Sequence, residues 1–260
     1  MSASKIMTGL ALLTLVTACS EGTGPTPAPG KQTLNLSVSS GRTGAAAAAP
    51  ESVTVNGHTL VLNKVELVIS EFELKRTSSS ADCSPSTSSA PAASGGASSH
   101  SDDDCEEIEA GPFLLDLPLG GGTSRVISVE VDTGTYRQAS YQIHKAEDGS
   151  SDASFLSQHP DLKGVSVRVA GAYDGKSFVY VSDLTAHQRN DLVPPLVVAA
   201  KGATNFTLVV DISKWFVTAG GGLVDPITAL KGGPYDNLVR DNIRRSFRSF
   251  EDHDRDGHED

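Results

Sequence analysis

Two short turns constrain the fold of this chain more than any other feature. They are Asn56-Gly57 in "SVTVNGHTLVL" and Asp174-Gly175 in "GVSVRVAGAYDGKSFVYVS", and each lies between runs in which apolar and polar residues alternate. Both central positions of a type I′ turn require positive φ, which Asn, Asp and Gly tolerate, so this pattern is the strongest short-range signal for a β-hairpin. The sequence therefore predicts antiparallel strands on both sides of each turn.

Several further segments show the composition and alternation of strands. They are "QTLNLSV", "KVELVISEFELK", "SRVISVEV", "YRQASYQIH", "PPLVVAA" and "NFTLVVDI". In "KVELVISEFELK" the alternation changes phase near Val68 and Ile69, which predicts a β-bulge. The strands are short and no helical pattern separates them. The sequence therefore predicts a mainly β fold over residues 32–217, an antiparallel β-sandwich of prealbumin or immunoglobulin type.

Helical signals come only after residue 217. Asp225 precedes Pro226 as an N-cap precedes the first helical position, and Asp236 is a second candidate cap. The segment "DNLVRDNIRRSFRSF" then places an apolar stripe on one helical face, formed by Val239, Ile243, Phe247 and Phe250. We expect a short C-terminal helical extension and an acidic tail over residues 218–260.

The N-terminus has the pattern of a secretory leader. Lys5 precedes the apolar run "IMTGLALLTLV", which is too short to span a bilayer comfortably. The following "VTAC" resembles a bacterial lipobox, so residues 1–18 are predicted to be removed and Cys19 to carry the lipid; the alternative is an ordinary leader with a chance cysteine. Three acyl chains would anchor the protein permanently in a membrane. Ser20 is not a retention signal for the inner membrane, which points to the outer membrane if the cell has one. Residues 19–31 would be a flexible tether of about 30–40 Å.

The two remaining cysteines flank a low-complexity segment. Residues 77–104 are rich in Ser and Asp and too poor in apolar residues to repay the entropy of ordering, so they are predicted to be a disordered insertion. In an oxidising compartment Cys83 and Cys105 are expected to form a disulfide at its base, contributing about 3 kcal/mol in the chain-entropy model. A metal site built from the two thiols is the alternative.

The formal net charge of −11 comes from two local patches. Residues 101–110 contain six acids and no base, and residues 251–260 contain six acids and one arginine. The remainder is almost neutral, so the charge argues against a nucleic-acid partner. A cation is the more natural partner of either patch, although such charge runs are often only solvated surface.

The last residues, "EDHDRDGHED", spell the start of a calcium loop. Carboxylates at positions one, three and five and a glycine at six suit Ca²⁺, which takes six to eight oxygen ligands. The glutamate of position twelve does not exist, so we expect weak, partial Ca²⁺ binding, with a solvated acidic tail as the alternative. The predicted ligands are Asp252, Asp254, Asp256, His258 and Asp260.

At the centre of the chain, "VDTGTYRQASYQI" pairs Gly134 with Tyr136 at the start of a strand. This resembles the Gly-x-Tyr corner of prealbumin-like and carboxypeptidase-regulatory-like sandwich domains. With "FLLDLP" and "TNFTLVVDIS", residues 52–217 resemble uncharacterised bacterial lipoproteins built on such a domain. The resemblance implies that glycine allows the turn and that tyrosine covers the edge of the core.

We find no motif that identifies a reaction. The Walker, H-E-x-x-H, G-x-S-x-G and C-x-x-C patterns do not occur in the sequence. Asp183, His187 and Asp191 are interpreted as a polar loop before two prolines, and Trp215 as core. We therefore predict a lipid-anchored, non-catalytic binding or structural module of the cell envelope, with an envelope protein or polysaccharide as partner. The alternatives are an envelope hydrolase whose site is built from loops and a carrier of an apolar ligand.

Overall fold

The computed structural model describes residues 30–40, 51–76 and 106–251. These residues form twelve strands and two α-helices, α1 (Ala153–Gln158) and α2 (Asp236–Arg244). The strands are β1 (Lys31–Ser39), β2 (Glu51–Val55), β3 (His58–Arg76), β4 (Glu106–Ala110), β5 (Phe113–Asp116), β6 (Thr123–Asp132), β7 (Gly134–Ile143), β8 (Val167–Tyr173), β9 (Lys176–Ser182), β10 (Ala186–Val198), β11 (Thr204–Val210) and β12 (Phe247–Glu251).

The strands form two sheets around a shared hydrophobic core, so the predicted mainly β fold is confirmed. The small sheet has the order β12-β11-β1-β6. The large sheet has the order β10-β7-β3-β8-β9. β8 and β7 pair with successive halves of one edge of β3, and β2, β5 and β4 pair in turn with its other edge. Most pairs in both sheets are antiparallel.

One strand pair corrects the prediction of a purely antiparallel sandwich. β1 runs parallel to β11, in a register that starts with Leu34 opposite Thr204 and ends with Ser39 opposite Val209. A parallel pair needs a long crossover connection, and here the whole large sheet lies between the two strands in sequence. Alternation within a strand does not carry this information, because it is the same for a parallel and an antiparallel neighbour.

Both predicted hairpin turns are confirmed. Asn56 and Gly57 have φ values of 51° and 85°, and Asp174 and Gly175 have φ values of 49° and 75°. The turns join β2 to β3 and β8 to β9 in two-residue hairpins. Positive φ at both central positions is what a type I′ turn requires.

β3 is the central strand of the large sheet. Its 19 residues correspond to about 60 Å at 3.3 Å per residue. Its first half pairs with β8 and its second half with β7, and the pairing with β7 shifts register between Ile69 and Glu71. The shift coincides with the predicted β-bulge, which is therefore confirmed.

The core includes residues that follow position 217 as well as the two sheets. Trp215 and Phe216 are fully buried, which confirms Trp215 as core, and the ring of Phe216 lies edge-on to that of Tyr180 at 5.3 Å. Burying one large apolar side chain stabilises a fold by about 1.5–3 kcal/mol. Among the described residues after position 217, five contribute buried side chains to this same core: Val224, Ala229, Val239, Ile243 and Phe247.

The predicted C-terminal helix is too long. α2 ends at Arg244, so only Val239 and Ile243 of the predicted stripe lie on it. Phe247 and Phe250 belong to β12, which pairs with β11 and completes the edge of the small sheet. The same apolar spacing fits a helix in isolation, but the backbone hydrogen bonds that β11 offers favour a strand.

The helical segments differ from the prediction in their N-caps and in their position along the chain. The Asp225 carboxylate accepts a hydrogen bond from the Ile227 amide at 3.1 Å, so Asp225 is the predicted N-cap, although of a 3₁₀-helix. Asp236 is the first residue of α2 rather than its cap. The expectation of no helix between the strands is wrong, because α1 lies between β7 and β8. Its six residues are too few to show a helical period.

Several chain segments meet at one end of the molecule. The Thr133 amide donates a hydrogen bond to the Gly30 carbonyl, and the Arg76 guanidinium donates one to the Thr133 carbonyl at 2.9 Å. Lys75 of β3 lies opposite Glu106 of β4 in the strand register, and Glu251 lies opposite Phe206 near the start of β11. We call this the entry end. The two type I′ turns lie at the other end of β3, which we call the turn end.

Candidate functional site

All site residues predicted from the sequence lie outside the described residues. They are Cys19, Cys83, Cys105, Asp252, Asp254, Asp256, His258 and Asp260. Among the residues that the structure describes, no group of three or more His, Cys, Asp or Glu side chains is placed to hold a metal ion. These predictions therefore stay predictions.

A different candidate site lies on the outer face of the large sheet, where β3, β7 and β10 are neighbours. Alternate residues of β3 and β7, such as Phe72, Leu74 and Tyr141, are buried in the core, and Gln188 and Asn190 of β10 are half-buried. The residues between them form three polar rows across the sheet. The rows are Glu71, Gln142 and His187; Glu73, Ser140 and Arg189; and Lys75, Gln138 and Asp191.

β7 lies between β10 and β3, and its side chains form hydrogen bonds with those of both neighbours. Ser140 Oγ donates a hydrogen bond to Glu73 Oε2 at 2.8 Å, and Gln138 Nε2 donates one to Asp191 Oδ1 at 3.0 Å. Gln142 Nε2 lies 2.9 Å from His187 Nε2 and donates to it when the imidazole is neutral. The polar face is thus preorganised by hydrogen bonds that run across the strands.

The first two rows line a groove of about 270 Å³, which we call the polar groove. Its β3 wall carries Glu71 and Glu73, and its β10 wall carries His187 and Arg189. The exposed Arg189 guanidinium forms no hydrogen bond or ion pair with any described residue. The groove therefore has an acidic wall, a neutral hydrogen-bonding floor and a wall that carries an unpaired cation.

Tyr141 belongs to the floor of the groove but not to its reactive surface. Its side chain is 3% exposed, and its ring packs against that of Phe247 at 5.8 Å. Burial raises the pKa of its hydroxyl, which accepts a hydrogen bond from Asn190 Nδ2 at 3.4 Å. Tyr141 therefore remains a neutral phenol that fixes the floor to the core.

The sequence interpretation of residues 183–191 as a polar loop is wrong. His187 and Asp191 lie on β10, exposed on the outer face with Arg189 between them. Asp183 precedes the strand and contacts Arg240 of α2 at 2.7 Å and Lys231 at 2.7 Å. The hydrogen bond from Lys231 and then that from Arg240 lower the pKa of Asp183 to about 2. Asp183 thus joins α2 to the large sheet.

A second charged group lies on the outer face nearer the turn end. Arg168 Nε donates to Glu66 Oε2 at 2.6 Å, and Lys64 Nζ lies 2.7 Å from Glu66 Oε1. Arg168 also contacts Asp161, and Asp116 lies opposite Glu66 on β5. We call these five residues the Glu66 cluster. It joins β3, β5, β8 and the 3₁₀-helix Pro160–Leu162.

Two carboxyl groups of the Glu66 cluster have pKa values that move in opposite directions. Burial alone would raise the pKa of Glu66, but hydrogen bonds from Arg168 and Lys64 outweigh it and lower this pKa. Desolvation raises the pKa of the exposed Asp116, and Glu66 adds to the increase while Lys64 opposes it. The hydrogen bonds from Arg168 and Lys64 therefore favour a charged Glu66, whereas desolvation disfavours a charged Asp116.

A third polar contact holds the turn end together. His58 Nδ1 lies 2.7 Å from Asp174 Oδ2, and the Thr59 amide donates to Asp174 Oδ1 at 2.8 Å. The His58 ring stacks on Tyr173 with centroids 5.7 Å apart. The hydrogen bond from His58, followed by that from the Thr59 amide, lowers the pKa of Asp174. These contacts connect the two hairpins to each other.

The polar groove combines a concave shape with a cation on one wall, Arg189, that is unpaired among the described residues. Sequence reasoning missed it. Polar residues alternate with apolar ones from Glu71 in "SEFELK" and from Gln138 in "RQASYQ", whereas all five residues of "HQRND" are polar. The polar residues are visible in the sequence, but the pairing of the three strands is not.

The described helices are all short, and none has the length and apolar character needed to cross a membrane. No protein-family model, curated protein or solved structure matches this chain.

Proposed function

We propose that this protein is a lipid-anchored, non-catalytic binding module of the cell envelope and that the polar groove contacts its ligand. The observation that supports this most is the opposition of Glu73 on one wall to the unpaired Arg189 on the other. Small-ligand sites are concave, and a few placed polar groups fix the orientation of the ligand in them.

The position of the groove agrees with a tethered module. Glu71 and Glu73 belong to the half of β3 that ends at the entry end, where Gly30 also lies. A lipid on Cys19 would connect to this end through residues 20–30. Labelling cells with a radioactive fatty acid should mark the wild-type protein and leave Cys19→Ala unlabelled, and label on the variant would exclude the anchor.

Ligand binding by the groove is testable with isolated cell envelopes. The chain from residue 20 onward should co-sediment with the envelope fraction, and the double variant Glu73→Gln/Arg189→Gln should lose most of this binding. Arg125→Gln is the matched control, since Arg125 is an exposed arginine on β6 of the small sheet. Equal binding by wild type and double variant would exclude the groove.

A prealbumin-like sandwich is the proposed fold type. The Tyr136 hydroxyl donates a hydrogen bond to the Asp132 carbonyl at 2.9 Å, and the tyrosine is fully buried. A β-carbon on Gly134 would lie 3.1 Å from the guanidinium of Arg76, whose Cζ lies over the Tyr136 ring at 5.5 Å from its centroid. These contacts support the resemblance to uncharacterised lipoproteins with Gly-x-Tyr corners.

The proposed Cys83–Cys105 disulfide agrees with the strand pairing around the insertion. Arg76 ends β3 and Glu106 begins β4, and Lys75 lies opposite Glu106, so the chain leaves and re-enters the large sheet at neighbouring positions. Reduction should add two hydrogens to the intact mass of the chain from residue 20 onward. An unchanged mass would mean that the thiols are free.

Weak Ca²⁺ binding by the tail remains part of the proposal. The tail follows strand β12 and not a helix, so the helix that normally leads into a calcium loop is replaced by an edge strand. Calorimetric titration with Ca²⁺ should give heat for the wild type and none for Asp252→Asn/Asp254→Asn/Asp256→Asn. The same heat from both proteins would exclude the site.

One observation favours a second candidate, an envelope hydrolase. Glu66 and Asp116 face each other with pKa values that move apart, as the pKa values of acid and base pairs do. An enzyme of this kind would hydrolyse members of a panel of nitrophenyl esters, glycosides and phosphates, and Asp116→Asn would abolish turnover. A binding module would leave the whole panel intact.

A further inference from the structure

The size of the polar groove limits its ligand. The groove offers about 270 Å³, close to the lower end of the roughly 300–1,000 Å³ of small-ligand sites. This volume fits a small molecule or a few residues of a chain.

The side chains of the groove disfavour a neutral sugar as the main ligand. Sugar and other ring ligands gain much of their affinity by stacking on exposed aromatic faces. Tyr141 is the one Phe, Tyr or Trp among the residues that line the groove, and its ring packs in the core against Phe247. The His187 imidazole, which contacts Gln142, is the one ring at the groove surface, so the groove offers mainly hydrogen bonds and charges.

The charges of the groove are arranged for a ligand with two opposite ends. Glu73 and Arg189 lie in one row with Ser140 between them, so their strands are two spacings, or about 10 Å, apart. A carboxylate attracts an ammonium group, and an unpaired guanidinium binds a carboxylate through two parallel hydrogen bonds. Three extended residues of peptide span about 10 Å.

We infer that the polar groove binds a short zwitterionic peptide that lies across the strands, with its amino group at Glu73 and its carboxylate at Arg189. Ser140 Oγ gives its hydrogen to Glu73 and keeps lone pairs that accept from a peptide N–H, and Gln142 Nε2 keeps a second hydrogen beside its contact with His187. This inference rests on the proposed function and adds the chemical class of the ligand.

The test uses three probes at low salt: tri-alanine with free ends, tri-alanine acetylated and amidated at its ends, and maltotriose. Two-dimensional ¹H–¹⁵N NMR of the chain from residue 20 onward should show saturable shifts at Ser140 and Gln142 with free tri-alanine. Blocking the ends, or the substitution Arg189→Gln or Glu73→Gln, should weaken binding by at least about tenfold, because each removes a charged hydrogen bond.

Controls separate this inference from the proposed function. Arg125→Gln should bind free tri-alanine as the wild type does, and an equal loss in this variant would mean that only the overall charge matters. Saturation of the groove by maltotriose but not by tri-alanine would overturn the peptide and leave a binding groove. No shift at Ser140 or Gln142 with any probe at millimolar concentration would overturn the inference and count against the groove itself.

Discussion

The Glu66 carboxylate is a buried charge that two cationic side chains stabilise. The Glu66 side chain is 3% exposed and would be unfavourable in the folded state without partners. Arg168 and Lys64 each contact one of its carboxylate oxygens, so both oxygens are satisfied. Asp116 lies opposite on β5 without a comparable hydrogen bond from either cation, and its charge is the one left at a disadvantage.

We expect Asp116→Asn to stabilise the protein at neutral pH. The folded-state pKa of Asp116 lies above its ordinary value of 3.8, so the folded protein holds this proton more tightly than the unfolded chain does. Ionisation therefore costs stability above the folded-state pKa, and the cost disappears below pH 3.8. Because Asp116 is exposed, the gain in the free energy of unfolding should stay below about 1 kcal/mol. Urea unfolding at pH 7 and pH 3 measures it.

Glu66→Gln is the matched comparison and should act in the opposite direction. The lowered pKa of Glu66 contributes stability above its ordinary value of 4.5, and this is lost as the pH falls through the folded-state pKa. Removing one partner of a buried ion pair costs about 3–5 kcal/mol. A gain in stability from Glu66→Gln, or a loss from Asp116→Asn at pH 7, would contradict the assignment of the two charges.

At the scale of elements, the irregular pairing of β3 depends on one glycine. The register of β3 with β8 shifts between Leu62 and Lys64, and a β-carbon on Gly171 would lie 2.0 Å from the Val61 carbonyl oxygen. Gly171→Ala must therefore push the two strands apart, at a cost of about 1–3 kcal/mol or more. Thermal unfolding followed by circular dichroism measures the loss.

Gly149→Ala is the control for this prediction. Its β-carbon would meet only the Ser151 hydroxyl, at the ordinary contact distance of 3.7 Å. Gly149→Ala should change the melting temperature little, while Gly171→Ala lowers it clearly. Equal effects of the two substitutions would show that β3 and β8 do not approach as closely as described.

The two phenylalanines of β12 test whether this segment is a strand or a helix. In β12 Phe247 is buried and Phe250 is only partly buried, whereas a continuous helix would bury both on one stripe. Phe247→Ala should cost about 3–5 kcal/mol, and Phe250→Ala clearly less. Chemical denaturation of both variants decides between the strand and the helix, since similar large losses would favour the helix.

The sequence predicts those elements whose causes are local. The φ values required at Asn56-Gly57 and Asp174-Gly175 depend on the residues themselves, so both hairpins were predictable. The parallel pairing of β1 with β11 and the switch from helix to strand after Arg244 depend on partners far away in sequence. Local patterns carry no such information.

In the whole molecule, the two ends of β3 differ in structure. Gly30, Arg76, Glu106 and Glu251 lie at the entry end, and the two type I′ turns lie about 60 Å away along β3. A lipid tether attached at Gly30 would place the entry end nearest to the membrane. The polar groove, in the half of β3 that ends at Arg76, would then face ligands close to the membrane surface.

The candidate site could be predicted only in part for the same physical reason. The polar residues of "SEFELK" and "HQRND" are visible in the sequence, but they become neighbours only because β7 pairs with both β3 and β10. Glu73 and Arg189 are more than a hundred positions apart. Register, and with it the acidic and basic walls, is a property of the assembled sheet.

The most direct test of a binding groove is photo-crosslinking in the living cell from a benzophenone amino acid at position 142, on its floor. We expect a crosslinked adduct at this position. We expect none from position 124, which is exposed on β6 of the small sheet. Arg189→Gln should lower the yield at position 142. Equal adducts from both positions, or no adduct from position 142, would contradict ligand binding by the groove.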